Sequence, residues 1–374
     1  MILRQIEKEI NKRLFTGKAI ILLGARQTGK TTLLQKIATK HVNNLWLNAD
    51  EPEVQAIFEN PSATRLNTIF KNKKIVFIDE AQRIKNIGLK LKLITDTNKS
   101  LQLIVTGSSA FELANKINEP LTGRKWEFQL FPLSFAEMEK HHGFLEEQKL
   151  LPHRLVYGYY PEVVNNSGNE IQILKNLSES YLYKDILMWE QIKKPDKLVR
   201  LMQALAFQIG HQVSYNELGQ LVGLNNETIE KYIQLLEKTF IIFKLNSFSR
   251  NLRNELKSSR KIYFYDNGIR NALIANYSPI ELRNDKGVLW ENFMIGERIK
   301  KIRYEQKFAN SFFWRTHEQQ EIDYIEDRNG KLLAVEFKWN KKAKKAISKT
   351  FLKNYPDSEH KTITPDNFEE FLLL

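Results

Sequence analysis

Gly24-Ala25-Arg26-Gln27-Thr28-Gly29-Lys30-Thr31-Thr32 decides how this chain is read. The stretch fits the spacing G-x-x-x-x-G-K-[ST]. An apolar run, Ala19-Ile20-Ile21-Leu22-Leu23, enters it as a buried strand, and a helical pattern, Leu33-Leu34-Gln35-Lys36-Ile37-Ala38, leaves it. Glycines let the backbone curl so that its N–H groups face phosphate oxygens at a helix N-terminus. In that setting the Lys30 ammonium reaches the β- and γ-phosphates, and the Thr31 hydroxyl is a ligand for Mg²⁺.

A second stretch supports the first. Lys74-Ile75-Val76-Phe77-Ile78 reads as a buried parallel strand, and Asp79 and Glu80 follow at its C-terminal end. Ligand sites of open α/β sheets lie at that edge. Asp79 would hold Mg²⁺ through water, and Glu80 would polarise an attacking water. Residues 1–140 alternate strands (Ala19–Leu23, Asn44–Leu47, Lys74–Ile78, Leu101–Val105) with helical patterns, which predicts a doubly wound parallel sheet. The fourth strand ends in Thr106-Gly107-Ser108-Ser109, where a hydroxyl beside the γ-phosphate would sense hydrolysis or a serine would cap the next helix. Arg124, in Leu121-Thr122-Gly123-Arg124, would stabilise transition-state charge or form a surface ion pair.

The remaining 234 of the 374 residues divide by pattern into three segments. Residues 141–195 are helical and rich in tyrosine and read as a lid or connector. Residues 196–285 read as three helices and a hairpin (Ile241–Leu245 with Lys261–Tyr265), the outline of a winged helix-turn-helix. Ser214 and Glu217 predict a capping box on its second helix. Arg250, Arg253, Lys257, Arg260 and Lys261 would lie on the wing and suit phosphate contacts, whereas Glu227, Glu230 and Glu237 on the third helix speak against major-groove reading. In residues 286–374 a helix around Trp290–Glu297 precedes strands at Phe312–Arg315, Glu321–Ile325 and Leu333–Trp339, the last two joined by the turn Asp327-Arg328-Asn329-Gly330. Period two puts Glu336 and Lys338 on one face, with Asp323 on the neighbouring strand and Glu291 on the helix. Such a set would bind Mg²⁺ or Mn²⁺ and activate water, or serve as a structural charge network.

Composition bounds the partners. The chain has no cysteine, which excludes a disulfide frame, a thiolate zinc site and a cysteine nucleophile. No run of eighteen apolar residues is present, and the N-terminus is an amphipathic helix start without the apolar centre of a signal peptide, so no membrane partner and a cytoplasmic location are expected. The net charge of +13 points to a polyanion such as DNA, or to a lysine-rich composition bias.

These motifs together resemble an AAA+ ATPase of the prokaryotic group allied to archaeal ATPases and origin-recognition proteins. The loop Gly24–Thr32, Phe77-Ile78-Asp79-Glu80-Ala81-Gln82, Thr106-Gly107-Ser108-Ser109 and Leu121-Thr122-Gly123-Arg124 carry that resemblance. Tyr181-Leu182-Tyr183-Lys184-Asp185-Ile186, Leu289-Trp290-Glu291-Asn292 and Glu336-Phe337-Lys338 resemble the uncharacterised domain that usually follows this ATPase, whose end is similar to the PD-(D/E)XK nuclease fold. The fold class implied is α/β: a P-loop AAA+ sheet with a helical lid, then a winged helix, then a restriction-endonuclease-like domain. The resemblance implies ATP and Mg²⁺ binding through Lys30, Thr31 and Asp79, with Glu80 as hydrolytic base. Ser108 would be the first sensor, with Thr106 as fallback, and Arg124 an arginine finger between subunits of a homo-oligomer or a sensor within one. Asp323, Glu336 and Lys338 map onto the nuclease pattern D…E-x-K, and Glu291 onto its helix acid. The implied activity is an ATP-driven, DNA-associated switch or motor with or without DNA cleavage. The alternative is a nucleotide-regulated signalling or defence switch whose C-terminal half binds protein.

Overall fold

Continuous apolar runs become the central strands of a parallel sheet. β1 (Ala19–Leu23), β3 (Ile75–Asp79) and β4 (Gln102–Gly107) are buried along their whole length, as strands covered on both faces must be. β2 (Asn44–Asn48) and β5 (Lys125–Gln129) are the half-exposed edges. The order is β2-β3-β4-β1-β5, and every pairing is parallel. A computed structural model describes residues 1–107, 121–181, 194–249, 259–316, 318–340 and 347–373. The chain splits into two compact units, Met1–Pro132 with Lys238–Phe240, and Leu133–Glu237 with Ile241–Leu374.

In the first unit, helix α1 (Ile6–Arg13) buries Ile6 and Ile10, and helix α2 (Lys30–Ala38) buries Leu33, Leu34 and Ile37. The Glu7 carboxylate of α1 pairs with Lys36 of α2 at 2.6 Å and with Lys40, just past its end, at 2.9 Å. Four of the five strands follow the sequence reading. The fifth, β5, was not expected: Lys-Trp-Glu-Phe-Gln is a short, charged edge segment with little apolar signal.

The second unit holds a six-stranded sheet of order β11-β10-β9-β8-β6-β7. Its strands are β6 (Ile242–Ser247), β7 (Arg260–Phe264), β8 (Asn310–Arg315), β9 (Glu321–Arg328), β10 (Lys331–Phe337) and β11 (Glu359–Ile363). The hairpin β6–β7 expected as a wing does form, antiparallel, but β6 also pairs in parallel with β8. It is therefore the edge of the same sheet as the strands beyond residue 286. The turn Asn329-Gly330 has positive φ at both residues, 53° and 86°, with Lys331 opposite Arg328. That is the two-residue hairpin the dipeptide favours. The helix Lys286–Tyr304 packs on β7 and β10, and Phe248, Trp314, Ile322, Ile325 and Phe351 form a core cluster with neighbouring apolar residues. Ser214 caps the helix Tyr215–Val222 by accepting from the Glu217 N–H. Tyr159 and Tyr160 are core residues.

Candidate nucleotide site

The loop between β1 and α2 is shaped by three backbone requirements. Gly29 sits at φ 91° as the cap of α2, and Gln27 also has a positive φ of 58°. Gly24 has no such φ, but a Cβ there would lie 2.1 Å from the Leu130 carbonyl oxygen, so a hydrogen is all that fits. Lys30 is 5% exposed and donates to the Gly24 and Ala25 carbonyls, both at 2.8 Å. Its ammonium therefore lies across the loop. The Thr28 hydroxyl donates to the Ala25 carbonyl at 2.8 Å and closes the turn from inside.

The ends of two strands, β3 and β4, meet this loop. The Thr31 hydroxyl donates to Asp79 Oδ2 at 2.8 Å. The Thr106 hydroxyl, at the end of β4, donates to Asp79 Oδ1 and accepts from the Glu80 N–H at 3.1 Å. Glu80 has φ 52°, a left-handed conformation rare for a non-glycine residue, and its carboxylate accepts from the Gln82 amide. The pairing of β3 with β4 aligns Ile78 with Val105, which sets Thr106 beside Asp79 and Glu80. Thr106 thus brings a strand-end hydroxyl to the acidic pair, beside that of Thr31. Ser108 lies outside the described residues. Gln82 was not anticipated, and its signal is only its spacing two residues beyond Glu80.

Arg124 is placed elsewhere. It precedes β5, and Lys125 aligns with Ala19, the first residue of β1, so Arg124 stands at the edge of the sheet opposite the loop. Its guanidinium pairs with Asp96 at 2.7 Å on the surface. The expectation that Arg124 senses nucleotide within its own subunit is corrected by this strand direction.

The donor set fits a Mg²⁺-nucleotide. An ammonium, a hydroxyl and a carboxylate converge at the loop. Gln27 Oε1 is buried with no hydrogen-bond partner among the described residues.

The second unit brings together the other expected cluster. Lys338, just past β10, lies 2.8 Å from Glu336 and 3.5 Å from Asp323, and Asp323 accepts from the Phe337 N–H at 2.8 Å. Glu291 accepts from the Tyr263 hydroxyl at 2.6 Å, with the Lys261 ammonium at 3.4 Å. Lys261 also pairs with Glu321 at 2.5 Å. Burial, then the Asp323 charge, raises the Glu291 carboxyl to about 7. Burial opposes charge on both lysines, but the surrounding carboxylates outweigh it and raise their pKa values. Lys261 is 1% exposed, so its expected role as a wing contact to phosphate is corrected. Arg260 stacks its guanidinium over the Tyr215 ring at 4.2 Å. Arg250, Arg253 and Lys257 lie outside the described residues. Among the described residues no three His, Cys, Asp or Glu side chains are placed to hold a metal ion. Lys338 bridges Asp323 and Glu336, and Lys261 takes up Glu291. Of the expected cluster, Asp323 and Glu336 thus meet at Lys338, and Glu291 stands with Tyr263 and Lys261.

Residues 16–139 match the AAA domain family. Residues 148–280 and 286–367 match two families described as domains of unknown function, DUF8612 and DUF4143. The chain is 24% identical to an uncharacterised protein of Methanocaldococcus jannaschii, over 94% of this chain and 82% of that protein. It is 27% identical to an uncharacterised protein of Haemophilus influenzae, over 84% of this chain and 88% of the relative. Among solved structures it is similar to Pif1 helicase from Candida albicans, at 14% identity and TM-score 0.27, covering 48% of each chain. The AAA domain match and the loop geometry together indicate a nucleotide-binding unit of the P-loop class. Among the described residues no helix is long and apolar enough to cross a membrane.

Proposed function

We propose that the chain binds and hydrolyses ATP with Mg²⁺, and that this cycle drives a DNA-associated switch or motor. The observation that carries the ATPase reading is the hydrogen-bonded line Thr31–Asp79–Thr106–Glu80 at the mouth of the loop. Lys30 and the loop N–H groups bind the phosphates, and Thr31 and Asp79 would hold Mg²⁺, which when bound would neutralise phosphate charge. Thr106 fixes the Asp79 carboxylate and the Glu80 backbone. Glu80, once released from Gln82, orients and deprotonates the attacking water. Glu80→Gln lowers turnover about 10²–10⁴-fold while ATP binding persists, as loss of a general base does. Steady-state phosphate release checks it, and unchanged turnover rejects the base assignment.

DNA as partner rests on the net charge of +13. It is tested by ATP turnover with linear, forked and four-way DNA, where stimulation that weakens steeply with salt is expected. One observation favours the second reading, a nucleotide-regulated switch with an inert, protein-binding C-terminal half. Lys338 and Lys261 neutralise the carboxylates that a metal-dependent nuclease would need. Turnover indifferent to every DNA form supports that reading, and Mg²⁺-dependent DNA cutting lost in Lys338→Ala rejects it.

A further inference from the structure

Arg4 lies twelve residues before the AAA domain match begins. Arg4 is 9% exposed. Its Nη1 donates to the Thr28 carbonyl at 2.5 Å, and its Nη2 donates to the Phe131 carbonyl at 2.6 Å. Thr28 is in the middle of the phosphate loop. Phe131 follows Leu130, whose carbonyl crowds Gly24 and whose N–H donates to the Leu23 carbonyl at 2.7 Å. One planar guanidinium thus joins the N-terminal segment, the loop and the strand-exit segment that closes on it. Two directed donors from a flat fork suit this task, and a single ammonium does not.

The consequence for ligand follows from peptide geometry. In a trans peptide the carbonyl and the next N–H point in opposite directions, and the chain has no cis peptide among the described residues. Turning the Thr28 carbonyl toward Arg4 turns the Gly29 N–H to the opposite side, the side on which loop N–H groups receive phosphate. Gly29 holds φ 91°, and its carbonyl accepts from the Leu33 N–H at 3.0 Å.

We propose that Arg4 is a positioning residue of the nucleotide site, holding the Thr28–Gly29 peptide in its phosphate-binding orientation. This rests on the ATP-binding reading above. Glu7, one turn further on, ties α1 to α2 through Lys36, and to Lys40 just past it, at residues outside the loop, and so separates helix docking from loop positioning.

The test is calorimetric titration of Mg²⁺-ATP into the full chain and into Arg4→Ala, Arg4→Lys and Glu7→Gln, with steady-state turnover alongside. Arg4→Ala binds about ten- to a hundredfold more weakly, the scale of charge-assisted bonds to carbonyls. KM rises with it, while kcat at saturation stays within about twofold, the signature of lost ground-state binding. Arg4→Lys falls between, and it carries the test if the alanine variant does not fold. Glu7→Gln keeps the wild-type affinity. Wild-type affinity in Arg4→Ala overturns the assignment and leaves the ATPase reading standing. Equal losses in Arg4→Ala and Glu7→Gln overturn it in favour of helix docking. A wild-type chain that takes up no ATP overturns both.

Discussion

Thr106 joins two chemical groups through one hydroxyl. It is fully buried, donates to Asp79 and accepts from the Glu80 N–H. Thr106→Val keeps the shape of β4 and removes both bonds. It lowers turnover about a hundredfold, the order found when one preorganised group is lost, and single-turnover kinetics check it. Gly24 tests the loop from another side. Gly24→Ala drives a methyl group to 2.1 Å from the Leu130 oxygen, which forces the backbone apart. A loss of about 2 kcal/mol or more of stability follows, as overpacking at a fixed backbone contact does, with weaker ATP uptake. Chemical denaturation measures the first effect. At this scale the meeting of loop and acidic pair was legible, because a local spacing dictates each part. Thr106 was read only as a fallback. Which polar residue at a strand end faces the site depends on the register of β3 with β4, and no local pattern carries that. Lys261 was misread because a basic residue in a hairpin looks solvated until the sheet that buries it is known.

Elements carry their own electrostatics. Asp285 stands at the start of the helix Lys286–Tyr304 and accepts from Arg270 at 2.6 Å and from Arg283 at 2.8 Å. Burial alone would raise its carboxyl, but the two guanidiniums outweigh that and bring it down to about 2, against 3.8 unperturbed. A depressed carboxylate contributes stability that is present above the unfolded value and lost as pH falls through the folded one. The chain therefore loses stability from this group between 3.8 and about 2. Asp285→Asn removes that part of the acid limb, which denaturant titrations across the window measure. Hairpin β9–β10 was legible because Asn-Gly names its own turn. β5 was not, because an exposed edge strand has no continuous apolar run to announce it.

At the scale of the molecule, the sequence patterns suggested successive modules, and the contacts divide the chain into two units. The hairpin β6–β7 shows why pattern alone could not place the division. Alternation within it foretells a hairpin, but its pairing with β8 is fixed by residues more than sixty positions away, Asn246 with Phe312 and Ser247 with Phe313. The first unit holds the loop and the acidic pair within its own sheet. The second holds charged groups that neutralise each other. The central claim is that the loop and the acidic pair grip a triphosphate through Lys30. Titration calorimetry of Mg²⁺-ATP into the full chain and into Lys30→Ala tests it most directly. Saturable uptake by the natural chain and none by the variant are expected. Equal uptake by both, or no heat from the natural chain, would reject the role given to Lys30.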